Sequence, residues 1–379
     1  MSKIPLKVEK SLEKRKSQGS FRALKFSKDL IDFSSNDYLG FARNPGIGSR
    51  AEKLIKDFSP LKNGSGGSRL LTGNHELYAP AEEIMARFHK AEAALIFNSG
   101  YDANLGFFSA VPGKGDLIFY DELIHASIRD GIQLSAAKAL KFSHNDLHDL
   151  KKKINRLKND IFGEVYLVTE SIFSMDGDSP DLHAFANFAE ENGHFLVVDE
   201  AHAVGAKGAG LIAEGGLQDK VFARLVTFGK ALGAHGAAIV GPTELKDYLV
   251  NFARSLIYTT ALPPHSLATI IGAYLELEAN GTAEVNKLQE NIDFFKAEVS
   301  KMGFQEHFLE SESAVHCCVV PGNEQVRKAS EVITKHGFDV RPILSPTVPA
   351  GRERLRICLH SYNSKEEITG LTEVLKMVL

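Results

Sequence analysis

Ala223-Arg-Leu-Val-Thr-Phe-Gly-Lys-Ala-Leu-Gly-Ala-His235 places one lysine, Lys230, just after an apolar run and among small residues: Gly229, Ala231, Gly233, Ala234 and then Gly236. Leu225 to Phe228 reads as a buried strand. Neighbours this small cannot cover the lysine, so something large and flat can approach it closely. Read alone, the stretch also fits a strand end with an exposed lysine before a glycine turn. The surrounding chain decides between the two.

Upstream, short apolar runs alternate with helical patterns. Ala93 to Phe97 reads as a strand that ends at Asn98-Ser-Gly-Tyr101, with a helix following through Ala110. Asp116 to Asp121 is a strand, His125 opens a helix to about Ala136, and Ala139 to Phe142 is a strand. Leu147 to Leu157 is a helix, Val165 to Glu170 a strand with a loop from Ser171 to Gly177, and Leu182 to Glu191 a helix. His194 to Asp199 is a strand that ends in Asp-Glu-Ala-His202. Such alternation predicts an α/β fold, with a mainly parallel sheet between two helical layers. Ligands of such sheets lie beyond the carboxyl ends of the strands. Ser99-Gly100, His125, Glu170 to Ser174, Asp199, His202 and Lys230 all fall at or just after those ends.

Outside this region the patterns differ. Residues 1–20 are charged and partly helical, and Phe21 to Phe26 with Leu30 to Phe33 reads as a short hairpin. Glu76 to His89 carries helical apolar spacing. Gly64-Ser-Gly-Gly-Ser-Arg69 follows no apolar strand and lacks the G-x-G-x-x-G spacing, so it reads as a flexible or close-packing loop rather than a dinucleotide site. After Pro264 two helices are expected, about Ser266 to Asn280 and Glu284 to Met302. Alternating strands and helices follow: Val315 to Val320, Val326 to His336, Phe338 to Val340, Leu355 to Leu359 and Lys365 to Leu379. This predicts an N-terminal arm over 1–45, a large domain over 46–280 and a smaller α+β domain over 281–379.

Composition bounds the function. A chain of 379 residues, 44% hydrophobic and 24% charged, is of the soluble globular class. A net charge of −4 gives no electrostatic case for nucleic acid. Three cysteines form neither a disulfide framework nor a metal-ligand spacing, and they fit a reducing, cytoplasmic compartment. No apolar run reaches the ~18 residues that a membrane span needs.

The strand-end residues also make chemical sense together. A lysine among glycines can form a Schiff base. A buried aspartate favours the protonated form of a ring nitrogen near it. A Ser-Gly turn opening a helix offers backbone N–H groups and the helix dipole to a phosphate, although a plain βα turn has the same letters. A histidine can lie flat on a ring. Pyridoxal 5′-phosphate, with an aldehyde, a pyridine nitrogen and a phosphate, meets all of these.

The segments Phe33-Ser-Ser-Asn-Asp-Tyr-Leu-Gly40, Gly64 to Ser68, Ser174-Met-Asp-Gly-Asp178, Thr227-Phe-Gly-Lys230, Leu256 to Pro264 and Pro346-Thr-Val-Pro-Ala-Gly351 resemble the α-oxoamine synthases. These are fold-type I pyridoxal-phosphate enzymes that join an amino acid to an acyl thioester with loss of CO2. Thr227 to Lys230, with Gly236-Ala-Ala behind it, and Pro346 to Gly351 lean toward the branch that serves biotin synthesis. That branch uses L-alanine and a pimeloyl thioester of CoA or a carrier protein. Sister activities, of the 2-amino-3-ketobutyrate CoA ligase or serine palmitoyltransferase type, stay open.

Position by position, the resemblance implies that Lys230 forms the Schiff base, Asp199 pairs with the pyridinium nitrogen, His202 bonds the ring oxygen and His125 stacks on the ring. Gly100 and Tyr101 would hold the phosphate, with Glu170, Ser174 and Thr227 as further cofactor contacts. Thr259 and Thr260 would reach the phosphate of a neighbouring subunit, which implies a homodimer with active sites at its interface. Asn36 and Arg356 would lie near the amino-acid carboxylate, and Ser68, Thr347 and Arg15 would contact substrate. Two positions depart from the family pattern. Leu344-Ser345 stand where an arginine usually precedes Pro-Thr-Val-Pro, the nearest arginine being Arg341. Asn363 stands in place of a histidine, with His360 three residues earlier.

Overall fold

The strands of the central sheet are almost continuously apolar, as strands covered on both faces must be. The computed structural model describes residues 4–24, 29–58, 63–157 and 162–379. Its strands are β1 (Ile31–Asp32), β2 (Ala93–Phe97), β3 (Leu117–Asp121), β4 (Lys138–Phe142), β5 (Val165–Glu170), β6 (Phe195–Asp199), β7 (Ala223–Thr227), β8 (Ala237–Gly241), β9 (Val315–Val319), β10 (Phe338–Asp339), β11 (Arg341–Ile343) and β12 (Arg354–Cys358). The chain divides into two compact units. The larger comprises Asn36–Ser174 and Asp178–Lys287. The smaller comprises Leu288–Leu379, Met175–Gly177 and the described part of Met1–Ser35.

The larger unit holds a seven-stranded sheet in the order β2-β8-β7-β6-β5-β3-β4. β3 to β7 run parallel. β8 is antiparallel to both its neighbours, so β2 runs in the parallel direction again. The parallel α/β expectation is thus met, with one reversed strand, β8, that the sequence reading did not single out. One face of the sheet packs Phe97, Phe107, Ile118, Ile128 and Leu225. The other packs Phe119, Phe142, Leu167, Phe185 and Leu196. The expected helices stand as Tyr78–Phe88, Gly100–Ala110, Ala126–Leu134, Leu147–Leu157 and Leu182–Asn192.

The glycine-rich loop is close-packed. Gly73 donates to the Ser68 carbonyl at 2.9 Å, and a Cβ on Gly73 would lie 2.2 Å from the Gly67 oxygen. A Cβ on Gly67 would lie 2.6 Å from Thr72 Oγ1, and Gly66 has φ +76°, whereas Gly64 has open space around it, so contact accounts for Gly67 and Gly73 and backbone conformation for Gly66.

In the smaller unit, β11-β12-β9 form an antiparallel sheet. β1 pairs in parallel with β10. The expected hairpin over Phe21 to Phe33 is therefore corrected. Residues 25–28 lie outside the described ones, and Ile31–Asp32 pair with Phe338–Asp339, some 300 residues away, where local spacing gives no signal. The two helices expected after Pro264 are one, Pro264–Lys301. Asn280-Gly281 reads as a stop, but a glycine costs only about 1 kcal/mol in a helix interior. The apolar face continues through it, from Leu267, Ile270 and Tyr274 to Leu288, Ile292 and Phe295, all buried.

Candidate active site

β2, β3, β5, β6 and β7 deliver their carboxyl ends to one edge of the sheet. The residues there enclose a cavity of about 180 Å3, walled by Gly100, Tyr101, His125, Glu170, Ser174, Asp199, His202, Thr227 and Lys230. Every strand-end residue in the catalytic and cofactor sets is therefore gathered in one space. Thr259 and Thr260 are the exceptions. Asn104, Ser127, Ala201 and Leu225 complete the walls.

Register explains the pairing of acids. Glu170 and Asp199 are the last residues of β5 and β6 and sit directly opposite each other. Two anions so placed in a buried setting repel. Glu170 is held well above the usual carboxylate range, first by burial and then by the charge of Asp199. Its Oε1 accepts the backbone N–H of His125 at 2.5 Å. Asp199 is fixed on both oxygens. Oδ2 accepts from Asn104 Nδ2 at 2.9 Å, and Oδ1 from the Ala201 N–H at 3.0 Å.

Asn104 also donates to Ser127 Oγ at 3.0 Å. The Ser127 backbone N–H reaches His125 Nδ1 at 3.2 Å, and its hydroxyl lies 2.8 Å from the same nitrogen. Nδ1 is therefore the acceptor, and the proton of neutral His125 sits on Nε2. Although His125 keeps exposed surface, the packing around its ring pushes its pKa below the ordinary value, chiefly by burial. Lys230 adds to that and Asp199 opposes it.

His202 is buried, and its Nδ1 lies 2.7 Å from the Tyr38 hydroxyl. That hydroxyl donates to Asn36 Oδ1 at 3.1 Å. Tyr38 therefore receives the His202 Nδ1 proton, which turns Nε2 of the neutral ring into an acceptor.

At the amino end of the helix Gly100–Ala110, Ser99 caps the Asp102 N–H at 3.0 Å. The N–H groups of Gly100 and Tyr101 precede any intrahelical acceptor and border the cavity, with the positive end of the helix dipole behind them.

The glycines beyond Lys230 do not line this space, which corrects the reading of them as room for a ligand. Gly233 has φ +58°, and a Cβ there would stand 2.0 Å from the Ala42 nitrogen. Its N–H donates to the Lys230 carbonyl at 2.9 Å, closing the turn that presents the lysine.

Other expected residues lie elsewhere. In the larger unit, Ser68 heads the turn Arg69–Gly73, away from the cavity walls. Asn98 Nδ2 donates to Thr259 Oγ1 at 3.1 Å and to the Thr260 carbonyl at 2.7 Å, so neither threonine borders this chain's own cavity. In the smaller unit, Arg356 is buried on β12 and its Nη1 donates to Cys358 Sγ at 3.0 Å. Arg15 and Thr347 line a separate cavity there. At the second departure, His360 Nδ1 and Asn363 Oδ1 are 3.0 Å apart, and Asn291 ties both backbones at 2.8 Å.

The aminotransferase class I and II family matches residues 28–375. The chain belongs to this family. It is 42% identical to an 8-amino-7-oxononanoate synthase from Emericella nidulans over 91% of this chain and 88% of that one. It is 38% identical to one from Geotalea daltonii over 94% and 93%. Among solved structures, a serine palmitoyltransferase from S. paucimobilis with a bound PLP-myriocin aldimine aligns with TM-score 0.88 and 25% identity, over 98% and 96% of the two chains. An 8-amino-7-oxononanoate synthase from Francisella tularensis aligns with TM-score 0.76 and 28% identity, over 93% and 98%. These findings bear out the α-oxoamine synthase resemblance and the fold-type I architecture. The cofactor of this family member is pyridoxal 5′-phosphate. The cavity fits it through an amine at Lys230, a doubly held carboxylate at Asp199, helix N–H donors at Gly100 and Tyr101, and two imidazoles. Among the described residues, no helix is long and apolar enough to cross a membrane.

Proposed function

We propose that this chain condenses L-alanine with a pimeloyl thioester, of CoA or a carrier protein, to give 8-amino-7-oxononanoate for biotin synthesis. The alanine Cα bonds to the acyl carbon as the C–S bond breaks and the carrier thiol leaves. The alanine carboxyl departs as CO2, and a proton returns to Cα. When bound, pyridoxal phosphate supplies the electron sink that makes an α-carbanion accessible.

The chain's residues do the rest. Lys230 holds the cofactor through its amine and, once displaced by the amino acid, takes up the α-proton as general base. Asp199, fixed by Asn104 and the Ala201 N–H, keeps a proton on the cofactor's ring nitrogen. His125 lies against the ring, and His202, oriented by Tyr38, faces the ring oxygen. Gly100 and Tyr101 anchor the phosphate, with Ser174 and Thr227 beside them. Arg356 and Asn36 grip the alanine carboxylate, for which a guanidinium offers two parallel hydrogen bonds. Thr347, Ser68 and Arg15 contact the acyl substrate.

The protein works as a homodimer in which Thr259 and Thr260 serve the partner's phosphate site. Their position beside Asn98, outside their own cavity, supports this. Three buried cysteines fit the cytoplasm.

The single observation that carries the reading is the meeting of Lys230, Asp199, His125 and His202 in one cavity of a chain 42% identical to a named synthase. The structural likeness favours serine palmitoyltransferase by TM-score, 0.88 against 0.76. Backbone likeness reports the fold, which sister enzymes share, so the higher sequence identity weighs more for the substrate. The test is CO2 release with alanine, glycine and serine against pimeloyl, acetyl, succinyl and palmitoyl thioesters. Alanine with pimeloyl thioester gives the highest kcat/KM. A faster glycine–acetyl or serine–palmitoyl pair would overturn the assignment.

A further inference from the structure

Three neighbouring strands of the larger unit end in an acid. Asp121, Glu170 and Asp199 are the last residues of β3, β5 and β6, and β5 lies between the other two. All three are buried. The outer two are well supplied with donors. Asp121 has His144 Nδ1 at 2.9 Å and the N–H groups of Leu123 and Asn145 at 2.8 and 2.7 Å. Asp199 has Asn104 Nδ2 and the Ala201 N–H. Glu170, flanked by both acids, has one donor, the His125 N–H on Oε1. Among the described residues its Oε2 has no partner, although Glu170 is only 4% exposed and borders the cavity. Lys230 is a cation that acts on Glu170, and the cofactor takes up its amine. The ring of His125 is neutral.

We propose that Glu170 works as a neutral carboxylic acid: Oε1 holds the backbone of His125, and the Oε2 hydroxyl is a hydrogen-bond donor to an acceptor atom of the bound cofactor. Of three acids in a row, the middle one has an anion on each side and the fewest donors, so it is the one that keeps its proton. A buried carboxyl held neutral in this way donates where a carboxylate cannot. Its neutrality leaves Asp199 as the anion that serves the ring nitrogen, with no second negative charge beside it competing for the proton. The grip on the His125 N–H, at the cap of the helix Ala126–Leu134, sets the ring that lies against the cofactor. The role given to Glu170 rests on the cofactor reading above and adds to it a protonation state.

The test is infrared difference spectroscopy of the holoenzyme at neutral pH, native against Glu170→Gln. A protonated carboxyl has a C=O stretch that an ionised carboxylate lacks. The native protein shows such a band that is missing from Glu170→Gln. A glutamine keeps one acceptor and one donor, whereas an alanine keeps neither. Affinity for pyridoxal phosphate, from fluorescence titration of the full chain freed of cofactor, therefore falls by about tenfold or more in Glu170→Ala, the scale of leaving a buried N–H without its acceptor. In Glu170→Gln it falls by less. Melting curves matching the native protein show that each variant is folded. Equal protonated-carboxyl bands in the native protein and Glu170→Gln, or a loss of affinity in Glu170→Gln as large as in Glu170→Ala, would overturn the proposal. Neither measurement uses an acyl substrate. A failure here leaves the alanine and pimeloyl reading standing, and a failure of that reading leaves these outcomes decisive.

Discussion

The two cavities of this protein are assembled by different means. The one around Lys230 is built from the ends of parallel strands, so its geometry follows from sheet register: Glu170 faces Asp199 because β5 and β6 pair residue for residue. The one around Arg22 is built from an N-terminal stretch and residues 342–347, joined by a side-chain hydrogen bond across 325 positions. A repeating framework fixes chemistry common to a large family. Irregular segments are freer to change than such a framework.

The contrast can be broken at the first cavity. Asn104 joins Asp199 to Ser127 and through it to His125, so Asn104→Ala frees the acid and the ring together. Loss of such a supporting contact costs about 10- to 100-fold, here in kcat and in cofactor affinity measured by fluorescence titration. An unchanged kcat would mean that the Ala201 N–H alone holds Asp199. The loss from Asn104→Ala is the same for every thioester, because Asn104 belongs to the first cavity alone.

A smaller effect sharpens the comparison at the sheet edge. His144 lies 2.9 Å from Asp121 Oδ1 and 2.8 Å from Asp178 Oδ2, with the Phe173 ring packed at 4.5 Å. Burial would lower its pKa, but the two aspartates outweigh burial and raise it to about 9. A raised folded value gives stability that is complete below about 6.5, the ordinary histidine pKa, and lost as pH rises through about 9. The Tm therefore declines between pH 7 and 9 in the native protein, and His144→Gln flattens that slope. An equal slope in both proteins would remove the charge argument.

Much of this was legible in the sequence. Continuous apolar runs marked β2 to β7, and the residues just after them gave nearly the whole of the first site. What was missed has a common cause. Asn104 and Ser127 are single polar residues on otherwise buried helices, and Tyr38 lay within a quoted motif without a role. Their meaning depends on which neighbour each one meets. β8 was missed because its small residues, Ala237 and Ala238, lack the bulk that announces a strand. The glycines after Lys230 were read as space for a ligand, whereas Gly233 is required by a left-handed turn against Ala42. The pairing of β1 with β10 left no local trace. Arg341 beside Asp339, two residues apart along the chain, was readable in principle, since alternate residues of an extended segment share a face.

The central claim is that Lys230 is the residue that carries the cofactor, and chemical trapping tests it most directly. Borohydride reduction of the holoenzyme, digestion and mass spectrometry should place the phosphopyridoxyl mass on the peptide containing Lys230. In Lys230→Ala the label and the visible Schiff-base absorbance should both be absent. Label on a different lysine, or full absorbance and turnover in Lys230→Ala, would contradict the account.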